Sequence, residues 1–187
     1  MAVRAPRRPK RPLDESRLQE LGLAYVGRFA TTRAKLRAYL QRKIRERGWE
    51  GQREPDLAAI AERLAEQGFI DDAVYADAKA RSLTARGYGK QRVVQALRGA
   101  GVDEQDSEEA RRLSDDEAVS AALRFAERRR IGPFRASAPD LKEREKGIAA
   151  MVRAGHGFDL ARAIGRLDPG SEVDVEELEQ LNSRRIG

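Results

Sequence analysis

Cysteine is absent from this chain of 187 residues, which excludes disulfides and thiolate metal sites. Histidine occurs once, as His156, so most zinc sites and Ser-His or Cys-His nucleophilic arrangements are excluded as well. Aromatic residues make up only 5% of the chain, and the 40% that are hydrophobic lean on Ala and Leu, a mixture that suits small helices with shallow cores better than a sheet over a deep one. No apolar run approaches the roughly 20 residues of a membrane-spanning helix. The N-terminus lacks the apolar stretch of a signal peptide, so a cytoplasmic protein is expected. Groupings that resemble chemical sites have simpler readings. Asp71-Asp72 and Asp115-Asp116 fall at predicted helix starts, where carboxylates cap backbone N–H groups. Gly87-Tyr88-Gly89 lacks the Lys-Ser/Thr ending of a phosphate loop, because Lys90 is followed by Gln91. His156, in Ala154-Gly155-His156-Gly157, reads as a helix-ending residue rather than a base. No enzyme activity, metal or cofactor is expected.

Charge is plentiful and segregated. The net charge is +6. Met1 to Val102 holds 22 Lys and Arg against 12 Asp and Glu, whereas Asp103 to Gly187 holds 15 against 19. A basic first half suits an acidic partner; its plainer reading is solvation of helix faces.

The pattern along the chain is helical and repeated. Residues 1–15 form a basic tail, with Arg4, Arg7, Arg8, Lys10 and Arg11 among Pro6, Pro9 and Pro12, a composition that forbids a helix and favours disorder. Ser16, with Gln19 as its reciprocal partner, is the expected cap of the first helix, whose apolar stripe is Leu18, Leu21, Tyr25, Val26 and Phe29. Thr31-Thr32 caps a second helix that buries Leu36, Tyr39, Leu40 and Ile44 and presents Lys35, Arg42 and Arg45 on the opposite face, with Arg37 on its flank. It ends at Gly48-Trp49. Pro55 fits the first turn of a third helix, Leu57 to Ala65, which ends at Gly68.

The layout recurs. Four and eight residues before Gly48 stand Ile44 and Leu40; four and eight before Gly101 stand Leu97 and Val93. A third copy is placed at Gly157-Phe158, after Val152 and Ile148, with the register shifted by one residue. The second unit's third helix, Asp103 to Leu113, has almost no apolar stripe. Ser114-Asp115-Asp116-Glu117 reads as a capping box for the helix ending in Arg128-Arg129-Arg130. The chain is thus read as all-α: three tandem three-helix repeats over residues 16–67, 68–113 and 114–168, forming an elongated, curved array. An acidic tail, 169–187, in which Val175, Leu178 and Leu181 could give one or two amphipathic helical turns, is expected to be frayed and solvated; the alternative is that it folds back on the basic half and masks it. Asymmetric repeats need no partner copy, so a monomer is expected.

One stretch carries a resemblance. Gly68, Phe69, Asp71, Asp72, Tyr75, Ala76, Arg81, Ser82, Gly89, Arg92, Val93, Leu97 and Gly101 resemble, in order and spacing, the second repeat of the RecX family of RecA regulators. Lys79 and Leu83 stand where that family usually has an aromatic and a basic residue. The resemblance extends from about Ser16 to Leu167. It implies a regulator that binds RecA filaments on single-stranded DNA and blocks extension, strand exchange and repressor self-cleavage. It needs no active site, and single- or double-stranded DNA is a further candidate partner. The candidate surface is Lys35, Arg37, Arg42, Arg45, Arg81, Arg86, Lys90, Arg92, Arg98, Arg128, Arg129 and Arg130. The competing reading is a stand-alone DNA-binding module held by phosphate contacts alone. Against strong single-strand binding, few aromatics look free of the core to stack on bases; Tyr88 is the best placed.

Overall fold

The computed structural model describes residues 11–183; Arg4, Arg7, Arg8 and Lys10 of the basic tail lie outside the described residues. Among these, the chain forms ten α-helices, one 3₁₀ turn and no strand, apart from an isolated bridge between Leu13 and Trp49. The described residues divide into two compact units, the first ending at Tyr75 and the second starting at Ala76.

In the first unit, α1 (Glu15–Val26), α2 (Arg33–Arg47) and α3 (Leu57–Glu66) pack on one another. Leu18, Leu36, Leu40, Ile60, Ala61 and Leu64 supply the core, spaced by three and four residues as a buried helix stripe requires. Two caps differ from the sequence reading. Asp14, not Ser16, caps α1 by accepting from the Arg17 N–H at 2.8 Å, because its carboxylate reaches the orphan donor from one turn earlier. Asp56, not Pro55, opens α3, accepting from the Ala59 N–H at 2.9 Å. Thr32 caps α2 as expected. The basic tail also stops short of Leu13, which is fully buried. Its N–H donates to the Gly48 carbonyl at 3.0 Å and its carbonyl accepts from Glu50 at 2.8 Å, which fixes the chain just before α1 against the corner after α2.

Gly48, at φ +84°, and Gly68, at φ +79°, end α2 and α3 with a positive φ that favours glycine. After Gly68, Ile70 is buried and Asp71 caps α4 (Asp72–Ala85) through the Val74 N–H at 2.8 Å. The unit boundary falls within α4, after Tyr75.

The second unit holds the rest of α4, α5 (Lys90–Gly99), α6 (Glu108–Asp116), α7 (Ala118–Arg129), the 3₁₀ turn Gly132–Phe134, α8 (Leu141–Arg153), α9 (Phe158–Arg166) and α10 (Val175–Ser183). Its core joins Ala122, Phe125 and Ala126 of α7 to Met151 of α8, Leu160 and Ile164 of α9, and Leu178 of α10. Three sequence expectations change here. The expected capping box is not one: Ser114 is buried inside α6, its hydroxyl donating to the Arg111 carbonyl at 2.8 Å, and α7 starts at Ala118 without a side-chain cap. The Glu117 carboxylate instead accepts from Arg124 at 2.8 Å and from Ser120 at 2.9 Å; these bonds, Arg124 first, hold its pKa below the ordinary value. The third corner is at Gly155, φ +96°, rather than Gly157, which caps α9 with an ordinary backbone. Four residues before Gly155 is Met151, fully buried, as Leu97 is four before Gly101, while eight before it is Gly147, where the first two corners have Leu40 and Val93. His156 takes the place of Trp49 and Val102 as the residue turned inward, and Phe158 is exposed. Finally, the chain after Pro169 forms α10, which packs on α7 and α9 through Leu178 rather than standing in solvent.

Candidate functional site

The cations singled out in the sequence fall into four surroundings. On α2, Arg37 and Arg45 are exposed and make no ion pair among the described residues, while Arg42 shares the Glu46 carboxylate with Lys43, at 3.6 and 2.6 Å. Lys35 is not on the solvent face. It is half-buried, its ammonium hydrogen-bonded to the Tyr75 hydroxyl and 4.5 Å from the centre of that ring. Its position beside the buried Leu36 explains this, since a residue 100° round the helix from a core position borders the seam.

On α4 and the loop after it, Arg81 and Arg86 are exposed, and Arg86 lies over the Tyr88 ring at 5.4 Å. Tyr88 itself packs against the second unit's core. That core contact, with Arg86 over the ring, leaves it a poor stacking surface. The run Arg128-Arg129-Arg130 is exposed and makes local contacts. Arg128 donates to the Arg86 carbonyl, Arg129 lies 5.8 Å from the Phe125 ring centre, and Arg130 adopts the left-handed conformation, φ +53°, that ends α7.

The fourth surrounding brings predicted residues together. Lys90, Arg92 and Arg98 of α5 line a groove of about 440 Å³ with Arg153 at the end of α8; Gln91, Val94, Gln95 and Val152 fill its walls. Four cations and no carboxylate border it. Lys90 reaches Asp115 at 2.6 Å and Arg92 donates to Gln95 at 3.0 Å, whereas Arg98 and Arg153 make no ion pair among the described residues. Backbone contact sets the groove's geometry. The Gly89 N–H donates to the Ala154 carbonyl at 3.0 Å and the Gln91 N–H to the Gly155 carbonyl at 3.1 Å. A Cβ on Gly89 would run into the Gly155 backbone, so only glycine allows the start of α5 to sit this close to the end of α8. Such a surface binds anions through charge and hydrogen bonding; it presents no nucleophile or general base.

Next to Gly155 in the chain, His156 is 3% exposed and its Nε2–H donates to the Gly87 carbonyl at 3.1 Å. Burial pushes its pKa down to about 4, against a smaller opposing effect of that hydrogen bond. The ring is neutral at pH 7 and serves as a fixed donor.

Arg153 is the groove residue absent from the sequence-derived surface. Placing the third corner at Gly157 obscured it; the left-handed Gly155 two residues on is the signal that marks Arg153 as helix-terminal and beside α5. No helix among the described residues is long and apolar enough to cross a membrane.

The described residues form an all-helical fold of small three-helix units that carries an exposed basic groove. The family model for the second three-helix domain of RecX matches residues 71–110. A regulatory protein RecX of Xanthomonas axonopodis pv. citri is 31% identical over 177 residues, covering 88% of this chain and 94% of its own. That of Myxococcus xanthus is 29% identical over 172 residues, covering 86% and 90%. The crystal structure of RecX from Lactobacillus salivarius superposes with a TM-score of 0.58 at 19% identity over 88% of this chain and 96% of that one, a likeness of fold. The chain belongs to the RecX family of regulatory proteins.

Proposed function

We propose that this protein binds filaments of the RecA recombinase on single-stranded DNA and inhibits their recombinase, ATPase and coprotease activities, thereby modulating DNA repair and the SOS response. The observation that carries the reading is the match to regulatory proteins named RecX along nearly their whole length. The carboxylate-free groove of Lys90, Arg92, Arg98 and Arg153 supports it, since a nucleoprotein filament offers both phosphates and acidic side chains to such a surface. The filament repeats, so weak contacts at Arg37, Arg42, Arg45 and Arg81 add to those of the groove as linked events, and the whole binds far more tightly than any one. Inhibition then follows from preferring one filament state over another, without chemistry on the protein's part.

The experiment is co-sedimentation with preassembled RecA filaments on single-stranded DNA. The protein pellets with filaments and stays in the supernatant with RecA alone. Equal pelleting with bare DNA and with filaments favours the alternative, a non-sequence-specific DNA-binding module held by the same cations.

A further inference from the structure

The sequence places Tyr25, Phe29 and Tyr39 in the buried stripe of the first unit, and the structure leaves Phe29 out of it. Phe29 follows the end of α1 and is 57% exposed, and Tyr25 and Tyr39 are half-buried at the edge of the core. The three rings form a run: Tyr25 and Tyr39 stack at 4.1 Å between centroids and 18° between planes, and Phe29 meets Tyr25 at 5.3 Å and 47°. At the Tyr39 end, the Arg42 guanidinium and the Lys43 ammonium each lie 5.6 Å from its ring centre. These two cations share one carboxylate, Glu46, so the end of the run keeps a net positive charge. At the other end Arg28, next to Phe29 in the chain, is exposed and makes no ion pair among the described residues.

We infer that this run is a stacking platform for single-stranded nucleic acid, with a base lying on Phe29 and the strand's phosphates held by Arg28, Arg42 and Lys43. The geometry fits that ligand in two respects. A ring more than half exposed at the end of a run of rings leaves apolar surface for one further flat group, and unstacked bases are common ligands for an aromatic ring beside a cation. The tyrosines are anchored against the first unit's core, so the platform is ordered before the strand arrives and little freedom is lost on binding. The inference goes beyond the proposed regulation and stands without it, because no recombinase takes part.

The test compares two fluorescently labelled strands of equal length by anisotropy at one low salt concentration: oligo-dT, and an abasic strand with the same phosphates and no bases. The wild-type protein binds oligo-dT more tightly. Phe29→Ala weakens oligo-dT binding by about fivefold to a hundredfold, the usual effect of losing one stacked base, and leaves the abasic strand unchanged. Phe29→Trp restores oligo-dT binding. Arg42→Glu with Lys43→Glu weakens both strands. The inference is overturned if wild type binds both strands equally, if Phe29→Ala changes neither or both alike, or if Phe29→Trp fails to restore binding. It is also overturned if Phe29→Ala reduces only capture on RecA filaments, which would make the patch a protein contact.

Discussion

The His156 Nε2–H donates to the Gly87 carbonyl across 69 positions of sequence, at 3.1 Å, in a site where the ring has almost no access to water. This bond joins the loop before α5 to the corner before α9, the two segments whose backbones also meet at Gly89 and Gly155. Its consequence is a pH dependence. In the unfolded chain the imidazole takes a proton near pH 6.5, and in the folded chain only near 4. Between those values the unfolded state holds more protons, so stability is complete above pH 6.5 and falls as pH drops toward 4. The loss is on the order of 3 kcal/mol, since one pKa unit is about 1.4 kcal/mol. Chemical denaturation of wild type and His156→Gln at pH 7.5, 5.5 and 4.5 checks it: the gap between the two proteins narrows as pH falls.

Two glycine substitutions separate backbone strain from steric exclusion. Gly68 and Gly155 both sit at positive φ, but a Cβ on Gly68 meets nothing within 4 Å, whereas one on Gly155 meets the Arg92 backbone nitrogen at 2.5 Å. Gly68→Ala costs only the left-handed conformation, about 1–2 kcal/mol. Gly155→Ala adds a backbone clash and costs about 2–5 kcal/mol. Unfolding midpoints of the two variants give the order.

Leu40 and Leu97 stand eight and four residues before their corner glycines and are 0% and 1% exposed. Truncation of either to Ala destabilises by about 2–5 kcal/mol, by lost transfer energy and the void left behind. Urea unfolding measures it; a loss below about 1 kcal/mol would mean that the side chain is not in a packed core.

Arg98 and Arg153 border the groove without ion-pair partners among the described residues, whereas Lys90 holds Asp115 and Lys35 holds Tyr75. On the proposed function, Arg98→Glu and Arg153→Glu together weaken filament binding, with circular dichroism and unfolding unchanged. Lys90→Glu weakens binding and also lowers stability, because it sets two carboxylates facing each other. Pelleting titrations beside thermal melts distinguish the two kinds of change.

The helical class and two of the three corners were legible in the sequence, because glycine followed by an inward residue and preceded by apolar positions at four and eight is a local pattern. The third corner was harder: neither glycine fits it fully, since Gly147 stands eight before Gly155 and Arg153 four before Gly157, and only the left-handed backbone of Gly155 decides. Caps at Asp14 and Asp56 were missed for a similar reason, since Ser16 and Pro55 are equally good local signals and packing selects between them. The dual role of the cations was not legible at all. Whether Arg128 holds a carbonyl or faces a ligand depends on Arg86, 42 positions away, and whether Phe29 is core or surface depends on how α1 turns into α2. The packing of α10 on α7 and α9 was not legible, because Leu178 has few apolar neighbours in sequence and charge alone points the acidic tail to the basic half.

The most direct measurement of the proposed regulation is the rate of RecA's DNA-dependent ATP hydrolysis as this protein is added at concentrations too low to coat the DNA. The account predicts suppression in that range, with Arg98→Glu and Arg153→Glu shifting the curve to higher concentration. Hydrolysis that continues unchanged until the DNA is saturated with the protein would contradict it.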